Sequence, residues 1–537
     1  MKKVFALMLA FLLVLGLGAC NQPANPTDGT TAAPTTQAPS PTTPTKPDET
    51  TPIPETDPAI TYKKDIIIGM NQKFTTMDPQ VNSNGVHDTM FKLVFNSLVY
   101  YNYETGEMEP ELAESWTSEE NGKIWTFNLR KDVTFSNGEP FTSDDVIFTF
   151  ERAKETGVSN AADVKMIETV EAPDDYTVKF TLTSANNDWL YKLMLQRNSI
   201  LNREALEKDA ENGFTVGTGG WKLDNMDVGN LVRFVKYEDS WVWKERTTPT
   251  ESITIRLMTE DTARLVACQK DEIQVAVSIA LNEVPFAESD PRIDYNVMDS
   301  EGINYFGFNC ESEKGSDENL RKAIAYALNV PDMLAIYSEG FGRVATTFWG
   351  PTQFGYYDSY DQKLETNMDL AKEYLAKSNY PNGVQIECLH ISSMQPIVEV
   401  AQAQLAPLGI EIIPKTVDSP GLNEAVKAKS HEMFLFNKTC GPEGDQFRTI
   451  LTYGNSTNRG LYNNERVMEL LDLALAETDD AARIAYYKEL QEITHEEMPY
   501  IPLFYPVKAN AFKKGLTGVV WEASQKFDYT YVICPEE

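Results

Sequence analysis

Histidine, paired cysteine and positive charge are all scarce in this chain. Its 537 residues include only four histidines, His87, His390, His431 and His495, with no close pair among them. Transition-metal sites draw on clustered imidazole and thiolate, so neither a His-rich metal site nor any cofactor is expected. Six cysteines occur without a Cys-x-x-Cys pair. Leaving Cys20 aside, Cys268, Cys310, Cys388, Cys440 and Cys534 are odd in number and are expected as small buried apolar side chains. Lys and Arg total 47 against 80 Asp and Glu, a formal charge of −33. A field of that sign repels phosphate backbones and excludes nucleic acid as a partner. Gly-x-Ser-x-Gly, His-Glu-x-x-His and Walker-type loops are also missing. No enzyme is therefore expected, and any ATP hydrolysis coupled to this protein belongs to another chain. A glycosidase drawing on two of the many carboxylates is the weaker alternative, because nothing singles out a pair at catalytic separation.

Long hydrophobic runs are lacking too, and the one that exists sits at the start. Met1-Lys2-Lys3 is basic and Val4 to Gly16 is apolar, short of the roughly 20 residues of a spanning helix. Basic head, short apolar stretch and small residues make a secretory signal over residues 1–19. The stretch Leu17-Gly18-Ala19-Cys20 resembles the bacterial lipobox, which implies cleavage before Cys20 and acylation (diacylglyceryl and palmitate-type chains) of that residue. Two or three acyl chains hold a protein at a membrane surface, where one alone is marginal. From Asn21 to Ile60 there are 10 of the chain's 29 prolines, 11 threonines and no aromatic residue. Such a segment cannot bury enough surface to order itself, so residues 20–60 read as a lipid-anchored, disordered Pro/Thr-rich linker. It would reach on the order of 100 Å if largely polyproline II.

From Thr61 the texture becomes mixed α and β. Asp65 to Gly69, Ile124 to Leu129, Tyr176 to Leu182 and Ile253 to Leu257 read as strands, two of them by clear period-two alternation. Leu320, Ala323, Ile324, Ala327 and Leu328 form a helical stripe with Asp317 placed as its cap. A second helix begins after Asn367, and a longer helical region runs from Arg466 to about Glu497 with a break near Asp479-Asp480 and a stop at Pro499. Interleaved strands and helices argue an α/β fold.

Several blocks then carry a family resemblance over residues 62–537. They are Thr76-Met77-Asp78-Pro79, Glu109-Pro110-Glu111-Leu112-Ala113-Glu114-Ser115-Trp116, Trp125 to Arg130, Val133 to Thr142 with Asp144-Asp145-Val146, Val216 to Trp221, and Leu320 to Leu328. In order and spacing they are similar to the family 5 solute-binding proteins, the dipeptide, oligopeptide and nickel group of ABC importers. The resemblance implies a two-lobed, class II type clamshell with an extra subdomain in the first lobe. The expected division is lobe I at 62–304, lobe II at 305–505 and a return to lobe I at 506–537. Crossings between lobes are expected at Ile303 to Asn309 and Tyr500 to Tyr505, with Gly302 and Gly307 as hinge positions. The residues themselves have plainer readings: Trp116, Trp125 and Phe127 as core, Asn137-Gly138 as a turn, and Thr142 with Asp144-Asp145 as a helix start. Gly217, Gly219 and Gly220 lack the Lys-Ser/Thr of a phosphate loop and read as glycines that let backbone approach a ligand or a neighbouring lobe.

The implied function is capture of a peptide or peptide-like solute outside the cytoplasm and its delivery to ABC permease subunits with separate ATPase subunits. A monomer at the membrane by its lipid alone is expected, on the outer surface of a Gram-positive-type envelope or in a periplasm. The alternatives are an oligosaccharide or other non-peptide ligand, or a ligand-presenting sensor lipoprotein. By resemblance the ligand would meet Asn71, Phe74, Thr75, Thr76, Gly219, Gly220, Trp221, Tyr305, Phe306, Asn309, Trp349, Phe436, Asn437 and Thr439. Peptide binders of the family carry a second-lobe acid that pairs with the peptide's amino terminus. Laid down from Phe436, the corresponding element here has Thr439 in that place, with Lys438 beside it; a shifted register reaches Glu443 or Asp445. Without the acid, a blocked peptide or a sugar would be preferred over a free amine.

Overall fold

A computed structural model of the chain describes residues 57–536, apart from 58, 84, 157–158, 245, 358–364, 440 and 525. Cys20, the signal stretch and nearly all of the Pro/Thr-rich segment lie outside the described residues, as does Cys440.

Alternating segments fold as strands because one face of each finds a core. Ile124–Leu129 and Thr177–Leu182 pair antiparallel at the centre of a four-stranded sheet flanked by Ala113–Glu119 and Ile167–Asp174. Trp125, Phe127, Val178 and Phe180 turn inward, and Phe127 meets Phe180 edge-on at 5.8 Å between ring centroids. Trp116 is only partly buried against the same core. Helix Ser143–Thr156 supplies Val146 and Phe150 to it. The Thr142 N–H donates to Asp145 Oδ2 at 3.0 Å, so the aspartate pair opens a helix. This sheet and its helices are the extra subdomain.

Asp65–Met70 lies parallel between Ser252–Leu257 and Val275–Ile279. Trp221–Asp227, Leu231–Lys236, Val507–Lys513 and Ile293–Asp299 complete a seven-stranded sheet, the body of the first lobe. The second lobe is a six-stranded sheet in the order Arg343–Val344, Tyr500–Tyr505, Gly302–Phe308, Met433–Thr439, Val384–His390, Ile410–Thr416. Its helices start where the polar caps stand. Asp317 accepts the Leu320 N–H at 3.1 Å to open Glu318–Ala327, and Asn367 accepts that of Leu370 at 3.0 Å to open Met368–Lys377. The C-terminal helical region divides into Glu465–Ala476 and Asp480–Glu497, with Asp479 capping the second through Ala482.

The chain changes sheet between Asp299 and Gly302 and returns at Pro506. Ile293–Asp299 pairs with Val507–Lys513 in one sheet, and Gly302–Phe308 pairs with Tyr500–Tyr505 in the other. Ile303 and Asn304, expected in the first lobe, therefore pair with Lys438 and Asn437 in the second. The polar triplet Asp299-Ser300-Glu301 marks the crossover, while the apolar run after it is an uninterrupted strand. Gly307 sits inside that strand, and a Cβ there would run into the Phe434 ring, so it serves packing and is no hinge. Cys268, Cys310 and Cys388 are free thiols; burial pushes Cys268 up to about 12 and Cys310 up to about 11.

Candidate functional site

A cavity of about 290 Å³ opens where the lobes face each other. Helix Gly85–Val94 brings Lys92 to it, and the strand Val99–Asn102 with its following turn brings Tyr100, Tyr101 and Tyr103. Tyr101 meets Tyr103 edge-on at 4.9 Å between ring centroids, which makes an aromatic wall. Glu111, the segment from Lys192 to Arg197, and Glu522, Ser524 and Lys526 complete the first-lobe side. Thr439, Gly441, Pro442, Glu443 and Gln446 face them from the second lobe, and Glu301 stands at the crossover between the two.

Every basic side chain lining this cleft has an acidic partner. Lys192 Nζ lies 2.5 Å from Glu443 Oε1 across the lobes, and Lys92 is bonded to Glu522. Lys526 is 2.8 Å from Asp88, and Arg197 grips Asp163 through two contacts of 2.6 and 3.1 Å. Two lining carboxyls have no such counter-ion among the described residues. Glu111 accepts hydrogen bonds from Asn96 Nδ2 and the Ser97 N–H, both at 2.8 Å. Glu301 is 4 % exposed; Tyr103 hydrogen-bonds its carboxyl, yet Oε1 has no partner among the described residues. Burial raises Glu111 to about 7 and Glu301 to about 8, and it lowers Lys92 to about 8. Burial also opposes the charge on Lys192, but Glu443 outweighs it and the pKa is raised.

Further contacts close the lobes beside the cavity. Asp188, next to the first-lobe helix Trp189–Leu193, is ion-paired with Arg483 of helix Asp480–Glu497, and both side chains are buried. The Asn187 side chain donates to the carbonyls of Leu475 and Glu477 at 3.2 and 2.9 Å.

Of the residues expected at the ligand, Thr439 lines the cavity and the others take different places. Phe74 and Trp221 belong to the first-lobe core, where the Trp221 N–H donates to the Thr530 carbonyl at 3.2 Å. Asn71 and Thr75 are exposed; the Thr75 N–H donates to His87, and the Thr76 hydroxyl accepts from Asp78. Gly219 and Gly220 let backbone approach Leu93, Val94 and Trp243, all within the first lobe, so the close approach is to the helix carrying Lys92 and not to the cavity. Tyr305 and Phe306 are buried in two second-lobe cores, and Asn309 donates to the His431 carbonyl at 2.8 Å. Asn437 is exposed, and Phe436 lies under the Arg459 guanidinium at 4.1 Å. Trp349 is fully buried, but its indole N–H donates to the Gly444 carbonyl at 3.1 Å and so steadies the loop that carries Glu443. Sequence reasoning passed over Lys92, Glu111, Lys192 and Glu301. The aromatic run Tyr100-Tyr101-Asn102-Tyr103 and the acid placed directly before an apolar strand were the available signals.

The model of bacterial extracellular solute-binding proteins, family 5, middle region, matches residues 107–459, about two thirds of the chain. The chain belongs to this family. Family 5 proteins capture a solute outside the cytoplasm and deliver it to an ABC importer, and this member shares their two-lobed fold. It is 26% identical over 473 residues to the glutathione-binding protein GsiB of Escherichia coli K12, covering 85% of this chain and 91% of that one. Among solved structures, HbpA2 of Haemophilus parasuis superposes with a TM-score of 0.80 at 22% identity, over 88% of this chain and 100% of the other. DppA of Helicobacter pylori, solved with the peptide STSA, gives a TM-score of 0.71 at 25% identity, over 88% and 98%. GsiB and DppA are binding proteins, and among the described residues of this family 5 member no helix is long and apolar enough to cross a membrane.

Proposed function

We propose that this protein is a lipid-anchored receptor that captures a short peptide or peptide-like solute and hands it to an ABC permease with separate ATPase subunits. The observation that carries the reading is the cavity between the lobes, with carboxyls, ammonium groups and tyrosines converging on it. At about 290 Å³ it stands at the small end of ligand pockets, which suits a ligand of a few residues better than a long chain. Acidic and basic groups together in the cavity suit a zwitterion, and of the relatives named above one is a glutathione-binding protein and another was solved with the peptide STSA. The preference for a blocked peptide rested on Thr439 standing in place of an acid. Thr439 is in the cleft, but Glu301, Glu111 and Glu443 are there as well, so a spare acid is present. Tethering would come from Cys20 and the Pro/Thr-rich linker, with the protein acting as a monomer.

Isothermal titration with di- to pentapeptides, glutathione, N-blocked peptides and oligosaccharides tests the ligand class. Saturable binding of short peptides at micromolar concentration is expected; binding of sugars alone would replace this reading. Metabolic labelling with a fatty-acid analogue tests the anchor. The wild type should be labelled and Cys20→Ser should not, while equal labelling would place the lipid elsewhere.

A further inference from the structure

We infer that Glu301, at the crossover between the lobes, is the residue that takes the ligand's ammonium group, so that the cleft selects solutes carrying a free amine. The inference rests on the proposed capture of a small polar solute in this cavity. Four bases and four acids line the cleft, and the bases are all engaged: Lys92 with Glu522, Lys192 with Glu443, Arg197 with Asp163, Lys526 with Asp88. Two lining acids remain, and Glu111 has both oxygens occupied by Asn96 and Ser97. Glu301 keeps a buried oxygen, Oε1, with no partner among the described residues. A buried carboxyl with an open acceptor beside a cavity is costly unless something arrives to fill it, and an ammonium is the group that fills it best.

Its position adds a consequence. The Glu301 N–H donates to the Ala523 carbonyl at 3.3 Å, and the Ser300 N–H to that of Pro506 at 3.0 Å, so this carboxyl is fixed where both crossings meet. A ligand held there touches the one part of the protein common to both lobes. Its amine thus reaches the crossover while its other end meets the loop of Glu443 or the wall of tyrosines.

The groups around Glu301 are Lys526, Lys92, Glu443, Tyr103 and Tyr101. Because burial holds its proton up to about 8, the carboxyl is mostly neutral at pH 7. On binding, the carboxyl O–H loses its proton to the buffer and the carboxylate pairs with the ammonium, which keeps all its hydrogens. Binding therefore releases a proton.

Titrations of the purified protein in buffers of different ionisation enthalpy test this. The probes are single amino acids, di- to tetrapeptides, glutathione, putrescine, and the N-acetylated forms of each peptide. The wild type should prefer a free amine over its acetylated form by at least about 30-fold, with close to one proton released per ligand at pH 7. Glu301→Gln should lose that preference and the proton, and Glu301→Asp should retain part of both; melting curves confirm that each variant is folded. Full discrimination in Glu301→Gln would overturn the inference while leaving peptide capture intact. Wild-type binding of acetylated probes only, or of no amine at all, overturns it as well. Binding of putrescine but no peptide, lost in Glu301→Gln, would uphold the inference and remove the peptide reading.

Discussion

Removing Glu443 would leave Lys192 with its charge in the cleft and no counter-ion. The pair is 3 % exposed on the acid side and 23 % on the lysine side, so the penalty is smaller than for full burial. Glu443→Gln should cost about 1–3 kcal/mol in a urea melt, against about 3–5 for a fully buried pair. Replacing both partners, Lys192→Met with Glu443→Leu, should recover most of it; a double variant no better than the single would show that the pair itself is not the cause. At Glu301 the prediction concerns pH. Its folded pKa of about 8 lies above the roughly 4.3 of an unfolded glutamate, so the folded state binds the proton more tightly. Its contribution to stability is full below about 4.3 and is lost as pH rises through about 8. Glutamine keeps the shape without titrating, so Glu301→Gln should gain on the wild type steadily from pH 5 to about pH 8 and level off above it. Glu111 and Asp445, both raised to about 7 by burial, and Lys92, lowered to about 8, titrate in both proteins and so largely cancel in the difference. A flat difference would mean that Glu301 ionises freely in the fold.

Helix Gly85–Val94 is the element that sets the first-lobe wall, since it carries both Lys92 and the Asp88 that holds Lys526. Its last turn is pressed by the loop of Gly217 and Gly219, where the Gly219 N–H donates to the Val94 carbonyl at 2.8 Å. A Cβ on either glycine would enter the carbonyls of Leu93 or Val94, so the helix or the loop must move. Gly219→Ala should therefore destabilise by about 1–3 kcal/mol and weaken ligand binding together with stability. Gly350, where an added Cβ meets only ordinary contacts at 3.8 Å or beyond, is the control, and Gly350→Ala should leave both unchanged. Loss of stability with binding intact in Gly219→Ala would separate the loop from the cleft.

At the scale of the whole molecule, closure is held by groups remote from the crossings. Asp188 and Arg483 are 2 % and 8 % exposed at the interface of the subdomain and the second lobe. Arg483→Met leaves Asp188 buried without its cation, which favours a state in which the carboxylate regains water. Small-angle scattering of the ligand-free variant should give a larger radius of gyration than the wild type, and saturating ligand should shrink it again. Equal radii for both proteins without ligand would show that this pair does not set closure.

Local rules made the architecture legible. Alternation at Ile124 to Leu129, the stripe at Leu320 to Leu328 with its cap at Asp317, the helix start after Asn367 and the break near Asp479-Asp480 act over a few residues, and each appears in the structure where the pattern put it. Six blocks in order were enough for the family. The cleft was a different matter, because its walls come from residues near 92, 100, 192, 301, 443 and 522. Only the double crossing between sheets brings them together. The aromatic residues Phe74, Trp221, Tyr305 and Trp349, expected at the ligand by resemblance, carry large apolar surfaces, and that surface drives them into the cores. The cleft residues are charged, and among 80 acids a sequence cannot tell Glu301 from the solvated rest. What distinguishes it is the loss of water around it, and water is excluded only when two lobes distant in sequence meet.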